Sequence, residues 1–371
     1  MTPAFELPIR DDLRGVKSYG APQLSVPVCL NVNENPFALP ADVVEAIAAA
    51  VRSVATDLNR YPQRDAVVLR EALADYLASE SGVQVPWDQI WAANGSNEVM
   101  HHLFLAFGGP GRLAISFDPT YSMYPEYARD TFTNYLSFPR RADFTIDVAS
   151  ACQQIASHRP SLVLVTAPNN PTGTALDPVD LMTLLGTARD CGAMLVVDEA
   201  YAEFRRAGIP SALELLPAYP NLVVTRTMSK AFGLAGARVG YAATADPAVV
   251  ETLSVVRLPY HLSSVTQAVA TAALRHCGSL QAQVSTIREE RDALQEWLVG
   301  QGFDVVLSDA NFILFGTFGD REGVWQRLLD QGVLIRVTGP AGYLRVSIGT
   351  PVENDRFRSA LLSAVGDERQ S

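Results

Sequence analysis

Between residues 89 and 243 the chain alternates short apolar runs with stretches of helical spacing, and this alternation restricts the fold more than any other feature. Strands are expected at 89–93, 113–117, 134–138, 161–166, 193–198, 222–225 and 238–243, and helices at 97–107, 125–129, 147–157 and 178–191. Runs such as Leu162-Val163-Leu164-Val165 and Met194-Leu195-Val196-Val197 are apolar without alternation. That is the pattern of strands covered on both faces. An α/β class follows, with a mostly parallel mixed sheet flanked by helices. In such sheets ligands sit at the carboxyl ends of the strands, so the connections that follow them are where chemistry is expected.

The flanks read differently. Residues 1–40 are rich in proline, asparagine and charge and form an expected arm, packing with the small domain or a partner subunit. Helices are expected at 41–55 and 65–78, the second capped by Asp65. Beyond about residue 245 the spacing predicts helices at 264–275, 280–298, 323–331 and 351–365, with short strands at 303–307, 311–315, 333–336 and 343–348. The expected division is arm 1–40, large domain 41–250 and a smaller α+β domain 251–371. A chain of 371 residues suits one large and one smaller unit.

Composition excludes several functions. A formal net charge of -11 does not suit a nucleic-acid or anionic-membrane binder, which needs concentrated positive surface. No run approaches the roughly 20 apolar residues of a membrane span. The first residues, MTPAFELPIRDDLRG, lack the apolar core of a secretory leader. Cys29, Cys152, Cys191 and Cys277 are scattered, so neither a disulfide scaffold nor a zinc site is expected, and a cytoplasmic setting is.

Four segments carry chemistry. Asn94-Gly95-Ser96-Asn97-Glu98 joins an expected strand to a helix, where glycine permits close backbone approach and free N–H groups attract phosphate. An ordinary capped turn has the same composition. Ala167-Pro168-Asn169-Asn170-Pro171-Thr172-Gly173 is a rigid turn that aims Asn170 at the cleft. Asp198 ends an apolar strand and precedes Tyr201; a buried acid there needs a partner, such as a protonated pyridine nitrogen. The plain alternative is a helix cap. The fourth is Thr227-Met228-Ser229-Lys230-Ala231-Phe232, with Arg238 eight residues on. Of 29 basic residues only Lys17 and Lys230 are lysines, so any covalent amine chemistry has almost no other choice. A buried lysine near cations loses its proton more readily and attacks a carbonyl.

Taken in order, these segments resemble the fold-type I, class I/II aminotransferases that use pyridoxal 5'-phosphate, and within them the histidinol-phosphate aminotransferase group. Asn31-Val32-Asn33-Glu34-Asn35-Pro36 is similar to that group's N-x-N-E-N-P segment, Arg60-Tyr61-Pro62 to its R-Y-P segment, Pro119-Thr120-Tyr121 to its P-x-Y turn and Ser229-Lys230-Ala231-Phe232 to its lysine motif. The resemblance covers nearly the whole chain. It implies that Lys230 holds the cofactor covalently, that Asp198 faces the ring nitrogen, and that Asn170 and Tyr201 contact the ring hydroxyl. Tyr121 would stack on the ring. Gly95, Ser96, Asn97, Thr227, Ser229 and Arg238 would bind the phosphate. Tyr61 would reach the cofactor of a second subunit, giving a homodimer with shared active sites. Tyr19, Asn33, Tyr260, Arg336 and Arg345 would line the substrate pocket. The implied reaction moves an amino group between histidinol phosphate and 2-oxoglutarate, a step of histidine biosynthesis. An aromatic amino acid aminotransferase, a phospho-amino-acid decarboxylase and a non-catalytic binding protein on the same scaffold remain as other readings. His101 and His102 form no metal motif and read as structural, and residues 233–240 lack the nicotinamide fingerprint.

Overall fold

A computed structural model of the chain describes Phe5 and residues 7–366; residues 1–4 and 6 of the expected arm and 367–371 of the expected C-terminal domain lie outside the described residues. The arm ends in β1 (Val28–Cys29), followed by α1 (Ala41–Ala55) and α2 (Val67–Ser81). The alternation then appears as β2 (Ile90–Ala93), α3 (Ser96–Phe107), β3 (Leu113–Asp118), α4 (Tyr124–Asp130), β4 (Asn134–Pro139), α5 (Val148–His158), β5 (Leu162–Thr166), α6 (Pro178–Asp190), β6 (Met194–Asp198), β7 (Leu222–Thr227) and β8 (Gly240–Thr244).

These strands make one seven-stranded sheet in the order β2-β8-β7-β6-β5-β3-β4. β8 runs antiparallel to both neighbours, and the remaining pairs are parallel. Alternate residues of β5 feed two separate cores: Val163 and Val165 join one, Leu162 and Leu164 the other. Burial on both faces is therefore the physical reason for the unbroken apolar runs.

Past the sheet come α7 (Pro247–Val256), α8 (Ser264–Arg275) and the long α9 (Cys277–Gly300), then β9 (Asp304–Val305), β10 (Phe312–Gly316), α10 (Arg321–Asp330), β11 (Val333–Leu334), β12 (Arg336–Val337), β13 (Leu344–Ser347) and α11 (Pro351–Gly366). α8 packs on α1 and α2. A second sheet, β12-β13-β10-β9, is antiparallel, and β1 of the arm pairs with β11 in parallel.

Four local expectations need correction. Asp65 does not cap α2: Ala66 occupies that position in the left-handed region, and Asp65 instead pairs with Arg257 at 2.8 Å. The single strand expected at 333–336 is two, because the chain leaves β1 at Leu334 and takes up β13 at Arg336. Arg238 lies outside β8, in a left-handed turn with φ 55° that swings its guanidinium toward Gly95. Helix α7 was not expected, although Asp246 caps it and Pro247 opens it, the ordinary signals of a helix start.

Candidate active site

The carboxyl ends of β2, β5, β6 and β7 open onto a cavity of about 460 Å³, within the usual range for small-molecule sites. Its wall includes Ser96, Asn97, Tyr121, Asn170, Asp198, Tyr201, Thr227, Ser229, Lys230 and Arg238 from the large sheet. Tyr19 and Asn33 enter from the arm, and Arg336 and Arg345 from the second sheet. One pocket thus gathers most of the residues singled out from the sequence.

One end is a cradle. Gly95 precedes α3 with φ 84°, and a Cβ there would lie 2.5 Å from Arg238 Nη2. A Cβ at Gly240 would collide with the backbone of Gly95 and Ser96. Both positions therefore require glycine for β8, the turn and the guanidinium to meet. Asn94 N–H donates to Glu98 Oε2 at 2.7 Å, which pins the turn. Thr227 Oγ1 donates to Ser229 Oγ at 3.0 Å, and Arg238 Nη1 donates to the same oxygen at 3.4 Å. The start of α3, two hydroxyls and a guanidinium converge, a set of donors whose chemistry suits an anion.

Asp198, at the end of β6, is 4% exposed. Its carboxylate accepts from the Tyr124 hydroxyl (3.3 Å), Thr225 Oγ1 (3.4 Å) and the Ala200 N–H (3.2 Å), all neutral donors. Burial pushes its carboxyl up to about 6. Lys230 Nζ donates to the Val32 carbonyl at 2.9 Å. Burial, with help from Arg345 and Arg238, brings its amine down to about 8. A nucleophilic amine and a buried acid without a cationic partner therefore share one cavity.

The wall opposite is cationic. Arg336 and Arg345 face each other across the β12–β13 pair, and both line the cavity. Arg345 donates to Asn170 Oδ1 at 2.5 Å and to the Asn31 carbonyl at 3.1 Å, and its buried Nε has no hydrogen-bond partner among the described residues. Burial lowers its guanidinium to about 10. Directly opposed like charges are unfavourable unless an anion lies between them. The Tyr201 hydroxyl accepts from Asn33 Nδ2 (3.0 Å) and Asn170 Nδ2 (3.3 Å), which ties the arm to the connections that follow β6 and β5 of the large sheet. Tyr121 donates to Asn97 Oδ1 at 3.2 Å, and Tyr19 meets Ser122 Oγ at 3.0 Å.

Residues 26–361 match the family described as aminotransferase class I and II. The chain belongs to that family. A histidinol-phosphate aminotransferase of Thermobifida fusca is 56% identical over 97% of this chain and 96% of its own. Histidinol-phosphate aminotransferase 3 of Burkholderia lata is 55% identical over 98% and 97%. The crystal structure of histidinol-phosphate aminotransferase from Sinorhizobium meliloti in complex with pyridoxal-5'-phosphate shares the fold, with a TM-score of 0.87 over 98% of this chain and 99% of that one at 22% identity.

Tyr61, expected to reach a second subunit, and Tyr260, expected in the substrate pocket, lie together at the surface. Tyr61 and Tyr260 stack on each other, centroids 4.5 Å apart, with Tyr61 80% exposed. Neither lines the cavity of its own chain. For Tyr61 that agrees with an expected reach toward a second subunit. Tyr260, in a left-handed turn with φ 56°, shares that surface position with Tyr61. His102 is a core residue, as expected: its Nδ1 accepts from Trp91 Nε1 at 3.1 Å, and burial lowers it to about 4. Among the described residues no His, Cys, Asp and Glu cluster could hold a metal, the four cysteines are free, and no helix is long and apolar enough to cross a membrane.

Sequence reasoning missed Tyr124, Thr166 and Thr225, which surround Asp198 from behind, and Val32 and Asn31, which act through backbone carbonyls. A carbonyl carries no residue signature. Tyr124 lies one residue before the helix expected at 125–129, and no motif marks it.

Proposed function

We propose that this aminotransferase binds pyridoxal 5'-phosphate in the cavity and moves an amino group from histidinol phosphate to 2-oxoglutarate. The residues fit the cofactor. The glycine-walled cradle of Gly95, Ser96, Ser229 and Arg238 suits its phosphate, and Asp198, buried among neutral donors only, suits a cationic ring nitrogen. Lys230 is the amine to hold its aldehyde, Tyr121 the aromatic to cover its ring, and Asn170 and Tyr201 the partners for its ring hydroxyl.

When bound, the cofactor supplies a carbonyl carbon and a ring that takes up the electron pair released at the amino carbon. The chain does the rest. Asp198 holds a proton at the ring nitrogen. Lys230 Nζ, once the amino donor has displaced it, removes the proton from the donor's amino-bearing carbon and returns it, as base and then acid. Its lowered pKa suits that work near neutral pH. Thr227 and Ser229 keep the phosphate end fixed while the amine moves.

The substrate reading is carried by the facing pair Arg336 and Arg345, two guanidinium groups in register on the wall of a cavity whose lining acids are Glu34 and Asp198. Such a pair accepts the phosphate of an amino-alcohol phosphate or the distal carboxylate of a dicarboxylic oxo acid, so one site serves both half-reactions. The identity of the named relatives over nearly their full length supports histidinol phosphate as the donor. The exposed stack of Tyr61 and Tyr260 supports a homodimer in which Tyr61 completes the neighbouring pocket. The free thiols suit a cytoplasmic enzyme. Side-by-side steady-state rates with histidinol phosphate and phenylalanine test the reading: kcat/KM should favour histidinol phosphate, and a preference for phenylalanine would make the chain an aromatic aminotransferase.

A further inference from the structure

A chain of hydroxyls runs from the cavity wall to the back of Asp198. Tyr124, the first residue of α4, is fully buried. Its hydroxyl lies 2.6 Å from Thr166 Oγ1 and 3.3 Å from Asp198 Oδ2. Thr166, which ends β5 in register with Asp198 on β6, lies 3.3 Å from Thr120 Oγ1. Thr120, Thr166 and Asp198 line the cavity, whereas Tyr124 does not.

Each hydroxyl has one proton to give, and a carboxylate can only accept. An ionised Asp198 therefore sets the direction of the whole chain. Tyr124 donates to Asp198, Thr166 to Tyr124, and Thr120 to Thr166. Protonation of Asp198 would remove the need for the Tyr124 donor and release that order. Burial pushes Tyr124 far above the ordinary tyrosine range, so the phenol stays a donor at every working pH. Hydrogen bonds to a charged group in a buried site are stronger than neutral ones, and successive hydroxyls polarise each other.

We propose that Tyr124 is a positioning residue that, through the Thr120–Thr166–Tyr124 chain, keeps Asp198 ionised and aimed so that it can hold a proton on the cofactor's ring nitrogen. Tyr124 touches neither cofactor nor substrate; it acts through Asp198. The inference rests on the proposed pyridoxal-phosphate site. It assigns to a residue of α4 the task of opposing the burial that drives the Asp198 carboxyl toward its neutral form.

The test loads apo protein with pyridoxal phosphate carrying a nitrogen-15 ring and reads the ring nitrogen by NMR, with cofactor affinity read by absorbance titration. Tyr124→Phe should move the nitrogen signal toward the unprotonated position and weaken cofactor binding by about tenfold, the size expected for losing a hydrogen bond to a charge. Thr166→Val should move both readings the same way by less, and Thr166→Ser should restore them. These two variants also carry the test if Tyr124→Phe does not fold. Tyr127→Phe is the control, since that buried hydroxyl on the same helix lies outside the Thr120–Thr166–Tyr124 chain and its loss should leave the nitrogen signal in place. A loaded Tyr124→Phe or Thr166→Val protein with the wild-type nitrogen signal and affinity would overturn the role of the chain. Failure of the wild-type protein to bind pyridoxal phosphate would overturn the functional reading itself, and the inference with it.

Discussion

Asp198 and Glu199 are neighbours in sequence, both acids and both buried, yet their surroundings are opposite. Glu199 accepts from Arg226 at 3.0 and 2.9 Å, from Ser211 Oγ at 3.0 and 2.8 Å and from the Ala212 N–H at 2.7 Å, and it pairs with Arg205 at 3.4 Å. Arg226 and Arg205 hold its carboxyl below the ordinary range despite burial. Arg226 in turn reaches Glu80 on α2 at 2.7 Å. Asp198 has three neutral donors and sits above the ordinary range at about 6. Successive residues at the end of a strand point to opposite sides, so one acid faces the interior network and the other the cavity. The difference separates structure from function: a buried charge with a complete set of partners is architecture, and one left short of a counter-charge marks where a ligand supplies it.

Lys230→Ala should produce the largest effect, a loss of turnover of at least about 10⁴-fold, because it removes both the attachment point and the proton carrier. Transamination retained by that variant would break the comparison at its functional end. Asp198→Asn should lower kcat by about 10²- to 10³-fold with little change in thermal midpoint, since no ion pair is lost. Arg345→Gln should raise KM about tenfold or more for both the phosphate and the dicarboxylate substrate. It should also shift the pH dependence of cofactor attachment. In the wild type, attachment should rise as pH climbs through about 8, where the Lys230 amine loses its proton. Removing a cation that holds that pKa down moves the rise to higher pH. Glu199→Gln should do least to chemistry and most to stability, about 1–3 kcal/mol from weakening the buried network in which Arg226 keeps only Glu80 at 2.7 Å and Glu203 at 3.8 Å as acidic partners, read as a lower thermal midpoint with near-normal kcat in the folded protein. Should Glu199→Gln lose turnover and keep its stability while Asp198→Asn does the reverse, the assignment of the two acids is inverted.

The large sheet was legible because burial on both faces writes itself into β5, β6 and β7 as unbroken apolar runs. The cradle was legible because Gly95 and Arg238 are residue types that only a few tasks require. What escaped was set by tertiary geometry. The break between β11 and β12 depends on which strand each half finds as a partner, and the run Val333-Leu334-Ile335-Arg336 does not encode that choice. Tyr260 sits at the surface in a local left-handed turn, which a non-glycine residue does not announce. The neutral donors to Asp198 come from Tyr124 on α4, Thr225 on β7 and the Ala200 N–H, with Thr166 of β5 bonded to Tyr124, and only the folded chain brings them together. Side-chain type named the chemistry, while the completeness of each residue's partners appeared only in the folded chain.

On the proposed function, Lys230, the lysine that lines the cavity, carries the cofactor. Borohydride reduction of the protein loaded with pyridoxal phosphate, followed by peptide mapping, tests this directly. The account predicts a single modified lysine, Lys230, and full retention of the label in Lys17→Ala. Label on Lys17 or the amino terminus, with the Lys230 peptide unmodified, would contradict it.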